Sequence, residues 1–222
     1  MRTLYHHSLL ASARKVRLAL YEKRLSFAET IMSPWDEPTD ELAGLNPACE
    51  LPVLMDEDGT VVCDHAAICE YLDEVYPEPN LIGRTPAARA ETRRLTAWFD
   101  HKFYQEVTEP LAGQKLVNRM LGHAPDSRAL KTGRDQLIPH LYYIGDLTER
   151  RGWLAGEQLS LADLAAAANI SLVDYAGDIP WDQVPATKEW YVRVKSRPSF
   201  RALLKDSVPG VPPAAVYADL DF

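Results

Sequence analysis

The chain has 222 residues, 46% of them hydrophobic and 25% charged, and a formal net charge of −8. That balance supplies apolar material for a buried core and excludes wholesale disorder. The acidic excess argues against nonspecific binding to nucleic acid or to an anionic membrane.

The first third alternates strand and helix signals. Thr3, Leu4 and Tyr5 predict a short strand. Ser12 is placed to cap a helix with Val16, Ala19 and Leu20 on its apolar face, and Arg14, Lys15, Arg17 and Lys23 mostly elsewhere. Residues 25–29 alternate apolar and polar, as a half-buried strand does. Residues 51–55, a turn at Asp56, Glu57, Asp58 and Gly59, and residues 60–63 read as a hairpin. Asp64 is placed to cap a helix over 65–76 that buries Ile68, Leu72, Val75 and Tyr76, with Pro77 and Pro79 ending it. Strand, helix, strand, a link, then strand, strand, helix predicts a mixed sheet with helices on its faces.

Residues 77–85 read as a linker, and helical signals follow. Thr85 and Pro86 predict a cap and a first-turn proline for a helix running past Trp98 and Phe99. A second long helix fits residues 127–151, closed by Gly152. Ser160 and Asp163 form a capping box ahead of residues 164–173, which are apolar almost all round and so predict a buried central helix. Thr187 is expected to open a helix carrying Trp190 and Val194. Pro209, Pro212 and Pro213 forbid helix or central strand thereafter, so residues 206–222 predict an extended tail, either mobile or packed back on its own domain. Removing that tail is expected to leave folding nearly unchanged. The expected divisions are an α/β domain over 1–76, a linker over 77–85, an all-helical domain over 86–205 and a tail over 206–222.

Cys49, Cys63 and Cys69 lack the paired spacing of a zinc or redox site, so they read as small hydrophobes and no metal is expected. The longest apolar stretch, 161–173, is too short to cross a bilayer and is broken by Asp163 and Asn169. The first residues contain no long apolar run, and the expected compartment is the cytoplasm. Lys188, Arg193, Lys195, Arg197, Arg201 and Lys205 read as a solvated basic face rather than a nucleic-acid site. His123 sits in a loop and reads as structural.

Four segments in order resemble the cytosolic glutathione transferase superfamily. They are Arg14-Lys15-Val16-Arg17-Leu18-Ala19-Leu20, then Asn46-Pro47-Ala48-Cys49-Glu50-Leu51-Pro52-Val53-Leu54, then Asp64-His65-Ala66-Ala67-Ile68 leading to Tyr71-Leu72, then the box from Ser160 to Asp163. The resemblance covers residues 1–205. It implies a thioredoxin-like N-terminal domain with a mixed βαβ–ββα sheet, an all-α C-terminal domain and a homodimer. It also implies a cis bond before Pro52 and a ligand-binding backbone at Leu51. The family's chemistry is thiol activation of glutathione by a hydroxyl near the start of the first helix. In serine- and cysteine-type members that donor lies seven residues before the arginine matching Arg17, and here that position is Leu10. Ser12 remains as a substitute donor, with helix capping as its plainer role, and Tyr5 would be a tyrosine-type donor if its register allowed. The family's acid–serine pair, which holds the γ-glutamyl carboxylate at a helix N-terminus, is Asp64-His65 here.

A kept scaffold with altered ligand positions points to a repurposed fold, with no cofactor unless a glutathione-dependent reading holds. Trp35, set among prolines and acids, reads as an exposed interface anchor. Tyr217, Asp219, Leu220, Asp221 and Phe222 alternate acid and apolar character like a docking motif. The altered thiol site and this tail resemble a branch of bacterial division proteins that binds filaments of the tubulin-like protein FtsZ. That resemblance implies an adaptor recruited to the division site. The alternatives are a glutathione-dependent transferase or isomerase acting on a small electrophile, and a generic chaperone-like binder.

Overall fold

The computed structural model describes residues 1–220; Asp221 and Phe222, named above as partner contacts, lie outside the described residues. Strand β1 (Thr3–His6), helix α1 (Ala11–Glu22) and strand β2 (Ala28–Ile31) form a parallel unit with Thr3 opposite Ala28 and His6 opposite Ile31. This register starts β2 three residues later than the alternation over 25–29 suggested, because Leu25 and Phe27 pack on the core as part of the approach to the strand. After a short α2 (Asp40–Leu45), β3 (Val53–Met55) pairs antiparallel with β1 and with β4 (Val61–Cys63). The sheet order is β2-β1-β3-β4. Helix α3 (His65–Val75) follows, and the Asp64 carboxylate caps it.

Ser12 does not cap α1. Leu10 is the extended residue at the helix start, and its carbonyl already accepts the Arg14 N–H at 3.0 Å, so Ser12 lies inside the first turn. Nor do the cations of α1 face solvent. Arg14, Lys15, Arg17 and Lys23 are all buried, each beside an acid: Asp206, Asp100, Glu29 with Asp206, and Asp73 respectively.

The helical domain begins at α4 (Pro86–Ala97), capped by Thr85, and runs on as a π-helical stretch (Trp98–Asn118) that contains Pro110. Helix α5 (Ser127–Arg151) packs on it closely. A Cβ on Gly133 would stand 2.8 Å from Leu111, which excludes a larger residue there. All of α6 (Leu161–Tyr175) is buried, as its apolar run predicts, and the capping box is present. The Asp163 carboxylate accepts from the N–H groups of Leu154 and Ser160, the Ser160 hydroxyl and the Trp190 indole. Helix α7 (Pro185–Lys195) starts two residues before Thr187, whose buried hydroxyl donates instead to the Leu141 carbonyl. A short α8 (Arg201–Leu204) precedes the tail.

The late basic residues are only partly a solvated face. Lys195 is buried against Asp174, and Arg197 grips Glu22 of α1 with two bonds of 2.6 and 2.8 Å. Arg201 and Lys205 are exposed as expected.

The described part of the tail packs back on the body. Val208 and Val211 are buried and bridge each other, and the Tyr175 hydroxyl donates to the Val211 carbonyl at 2.7 Å. Tyr217 is fully buried, its ring edge-on to Tyr175 at 5.0 Å. Its hydroxyl donates to the Leu203 carbonyl and accepts from Arg14 Nη1, each at 3.0 Å. A proline-rich segment has few N–H groups for a ladder, so side chains hold it. Tyr217 is therefore an internal anchor, not the exposed partner contact expected of it. Tyr217→Phe keeps the ring but leaves a buried guanidinium donor short of an acceptor, and should cost about 1–2 kcal/mol in urea unfolding. Deleting residues 207–222 should cost more, because it also uncovers the apolar cluster around Tyr175, Val208 and Val211.

Candidate functional site

The C-terminal end of β1 feeds a loop that brings Leu9 and Leu10 to the start of α1. Leu10 stands at the helix N-cap with an aliphatic side chain, so no hydroxyl is offered there. The Tyr5 hydroxyl faces the Glu41 carboxylate. Tyr5 packs beside Leu42 and Val53, and burial, followed by the nearby Glu41 carboxylate, raises its phenol pKa. Trp35 is half-buried rather than freely exposed. It meets the His7 ring edge-on at 4.8 Å and, with Leu9, Leu10 and Tyr104, lines a cavity of only about 90 Å³. The Leu51–Pro52 bond is cis, as the resemblance implies.

Asp64 has φ 72° and turns its carboxylate onto its own helix, accepting from the N–H groups of Ala66 and Ala67 at 2.7 and 3.0 Å. Burial pushes this carboxyl up, but those bonds and the nearby His65 and Lys15 hold it below the usual aspartate range. Two of the amides that would greet an external anion are thus already engaged. His65 turns toward the domain junction. Its Nδ1 lies 2.7 Å from Lys15 Nζ, and Lys15 also pairs with Asp100 of the π-helical stretch. Burial first, then the Lys15 charge, lowers the imidazole pKa, so the ring is neutral near pH 7 and Nδ1 serves as the acceptor.

A second cluster lies under the β1–α1 loop. Arg14 donates to the Ser8 carbonyl at 2.7 Å and to the Ser171 hydroxyl at 2.8 Å. Arg17 holds Asp206 through two bonds of 2.8 and 3.0 Å and Glu29 at 2.8 Å. The His6 imidazole beside Glu29, set against partial burial and joined by Arg17, holds that carboxyl at about 2. Sequence reasoning used the Arg-Lys-Val-Arg segment as a family marker and missed its role. The available signal was three cations on one 12-residue helix and a fourth, Lys23, at its C-cap, too many for a helix packed between two domains unless acids met them. Cys69 is buried, with its thiol pushed up to about 12 by burial, and is unreactive.

A four-stranded thioredoxin-like sheet, a cis proline leading into β3, an acid capping α3 and a buried, boxed α6 together define a transferase scaffold with Leu10 at the α1 N-cap. The chain belongs to the glutathione S-transferase family: its N-terminal domain model matches residues 11–75 and its C-terminal domain model residues 137–198. Within that family it is 49% identical to FtsZ-localized protein A of Caulobacter vibrioides, over all of this chain and 98% of that one. The solved structure of FzlA from C. crescentus superposes with a TM-score of 0.95 at 49% identity, covering 100% of this chain and 99% of that one. A glutathione S-transferase structure from Rhodospirillum rubrum gives 0.97 at 54% identity, with both chains fully covered.

Because Glu29 is ionised more readily in the fold than in the unfolded chain, its contribution is complete above its unfolded pKa of about 4.3. It is lost as pH falls toward about 2. Urea midpoints measured down that range should therefore fall less steeply for Glu29→Gln than for the unaltered chain.

Proposed function

We propose that this chain is an adaptor on a glutathione-transferase scaffold that binds FtsZ filaments and regulates bacterial cell division without glutathione chemistry. The observation that carries the reading is the 49% identity, end to end, with FtsZ-localized protein A. Two local features support it: Leu10 at the α1 N-cap and the self-capping Asp64. The protein would act in the cytoplasm, recruited to the division site, and need no cofactor. A homodimer would present two equal faces to a filament of repeating sites, where linked contacts raise apparent affinity. Trp35, Asp219 and Leu220 are the described candidates for the contact surface, with Asp221 and Phe222 beyond it. Leu220 is 39% exposed and its neighbour Val216 46%, so apolar surface is available there. Tyr217 would serve by holding this segment in place.

One observation favours a glutathione-dependent transferase or isomerase instead: the 54%-identical R. rubrum structure is described as a glutathione S-transferase. Co-sedimentation with FtsZ filaments and melting with millimolar glutathione separate the two. The adaptor reading expects the chain to pellet with filaments, Trp35→Ala to weaken pelleting with little change in melting, and glutathione to leave the midpoint unmoved. A glutathione stabilisation approaching the roughly 2.7 kcal/mol of a ligand at a hundred times its Kd, together with failure to pellet, would establish the other.

A further inference from the structure

Helices α5 and α7 approach each other closely: a Cβ on Gly145 would stand 3.1 Å from that of Ala186. Beside this contact lies an open groove of about 440 Å³, wholly within the helical domain. It shares no lining residue with the cavities around Leu10 and His65. Helix α5 contributes Pro139, Tyr142 and Tyr143, and the start of α7 contributes Pro185. Tyr142 is 59% exposed, and its phenol makes no hydrogen bond or ring contact among the described residues. Tyr143 is held in place by Arg94, which donates to its hydroxyl at 3.2 and 3.3 Å. Pro139 is exposed inside a 25-residue helix, where its ring removes a helical hydrogen bond. A run of exposed tyrosine and proline rings is a surface on which further proline rings pack.

The polar groups narrow the occupant. Asp146 and Glu149 complete the α5 side, and no lysine or arginine lines the groove. Glu149 has no ion-pair partner among the described residues. Asp146 meets Arg150 at 2.9 Å, an exposed pair of the kind that contributes little and exchanges readily. The groove therefore favours a cation and repels an anion. At the start of α7, Val184 offers no side-chain cap, and the amides of Ala186 and Thr187 have no partner among the described residues. These two donors suit an acceptor, and the nearby carboxylates restrict it to a neutral one, such as a peptide carbonyl. From Pro139 to Glu149 is about 15 Å of helix axis. A polyproline II segment of about five residues covers that distance. Along α5 the rings come first and the acids last, so the apolar and cationic parts of a ligand follow one another.

We propose that this groove binds a proline-rich segment of a partner protein, in polyproline II form, with an arginine or lysine at one end. Its prolines lie against Tyr142 and Tyr143, its cation meets Asp146 and Glu149, and a backbone carbonyl accepts from the α7 amides. Such a segment has no internal hydrogen bonds to break and is already extended, so little order is lost on binding. The inference does not rest on the FtsZ reading, and the groove contains neither Trp35 nor any residue of the tail.

The probe is a capped peptide of four prolines followed by two arginines, titrated into the full chain and followed by amide NMR. It should bind saturably and move the amides of Gly145 and Ala186. The peptide with glutamates in place of arginines should bind about tenfold more weakly, as attraction at two carboxylates becomes repulsion. With glycines in place of prolines, binding should fall by about the same factor, because a flexible chain must be ordered. Tyr142→Ala should weaken the proline–arginine peptide about fivefold with little change in melting. Glu149→Lys should narrow the difference between the arginine and glutamate peptides. Any of three results overturns the proposal: no saturable shift at millimolar peptide, equal binding of either control peptide, or undiminished binding in both variants. Movement of the same amides on raising the protein concentration alone also overturns it and assigns the face to a second copy of the chain.

Discussion

The grip of Arg14 and Arg17 on Asp206 is the contact on which much of the architecture depends. Both guanidinium groups lie on α1, which sits between the sheet and the helical domain, and both reach the same carboxylate from within a protein interior. Charges so placed are expensive to desolvate, and they are tolerated here because opposite charge and several acceptors meet them. The acceptors come from across the chain: Ser8 before the helix, Glu29 on the neighbouring strand, Ser171 in the central helix and Tyr217 in the tail. One helix therefore fixes the position of the sheet, the central helix and the C-terminal strap at once. Lys15 and Lys23 repeat the pattern toward Asp100 and Asp73. The domains are joined by paired charge as well as by apolar packing.

Much of the scaffold was legible in the residues. The hairpin around Gly59, the Asp64 cap, the box from Ser160 to Asp163 and the closure of the long helix at Gly152 are all local devices, and each was found where its pattern placed it. Errors arose where a partner distant in sequence decided the outcome. Ser12 looks like a cap only until the Leu10 carbonyl is seen to start the helix. Lys195 and Arg197 look solvated until Asp174 and Glu22 are brought beside them by the fold. Tyr217 looks like a docking residue until the Tyr175 ring and Arg14 enclose it. Of the candidate site, the loss of the hydroxyl at Leu10 could be read directly. The turning of His65 toward Lys15 could not, because it depends on a helix in the other domain.

The altered ligand region is satisfied by its own groups. Asp64 occupies amides of its own helix, His65 is engaged by Lys15, and Trp35 and Tyr104 leave little space beside Leu10.

The bond between Arg14 and Tyr217 spans 203 positions, and it has a bearing on how the chain is made. A ribosome delivers α1 long before the tyrosine that accepts from Arg14 Nη1. Until Tyr217 emerges, the nascent helix carries an arginine that cannot be buried at full value, so the first domain must wait in a looser form. Final consolidation of this junction therefore follows synthesis of Tyr217, whatever order the earlier elements fold in.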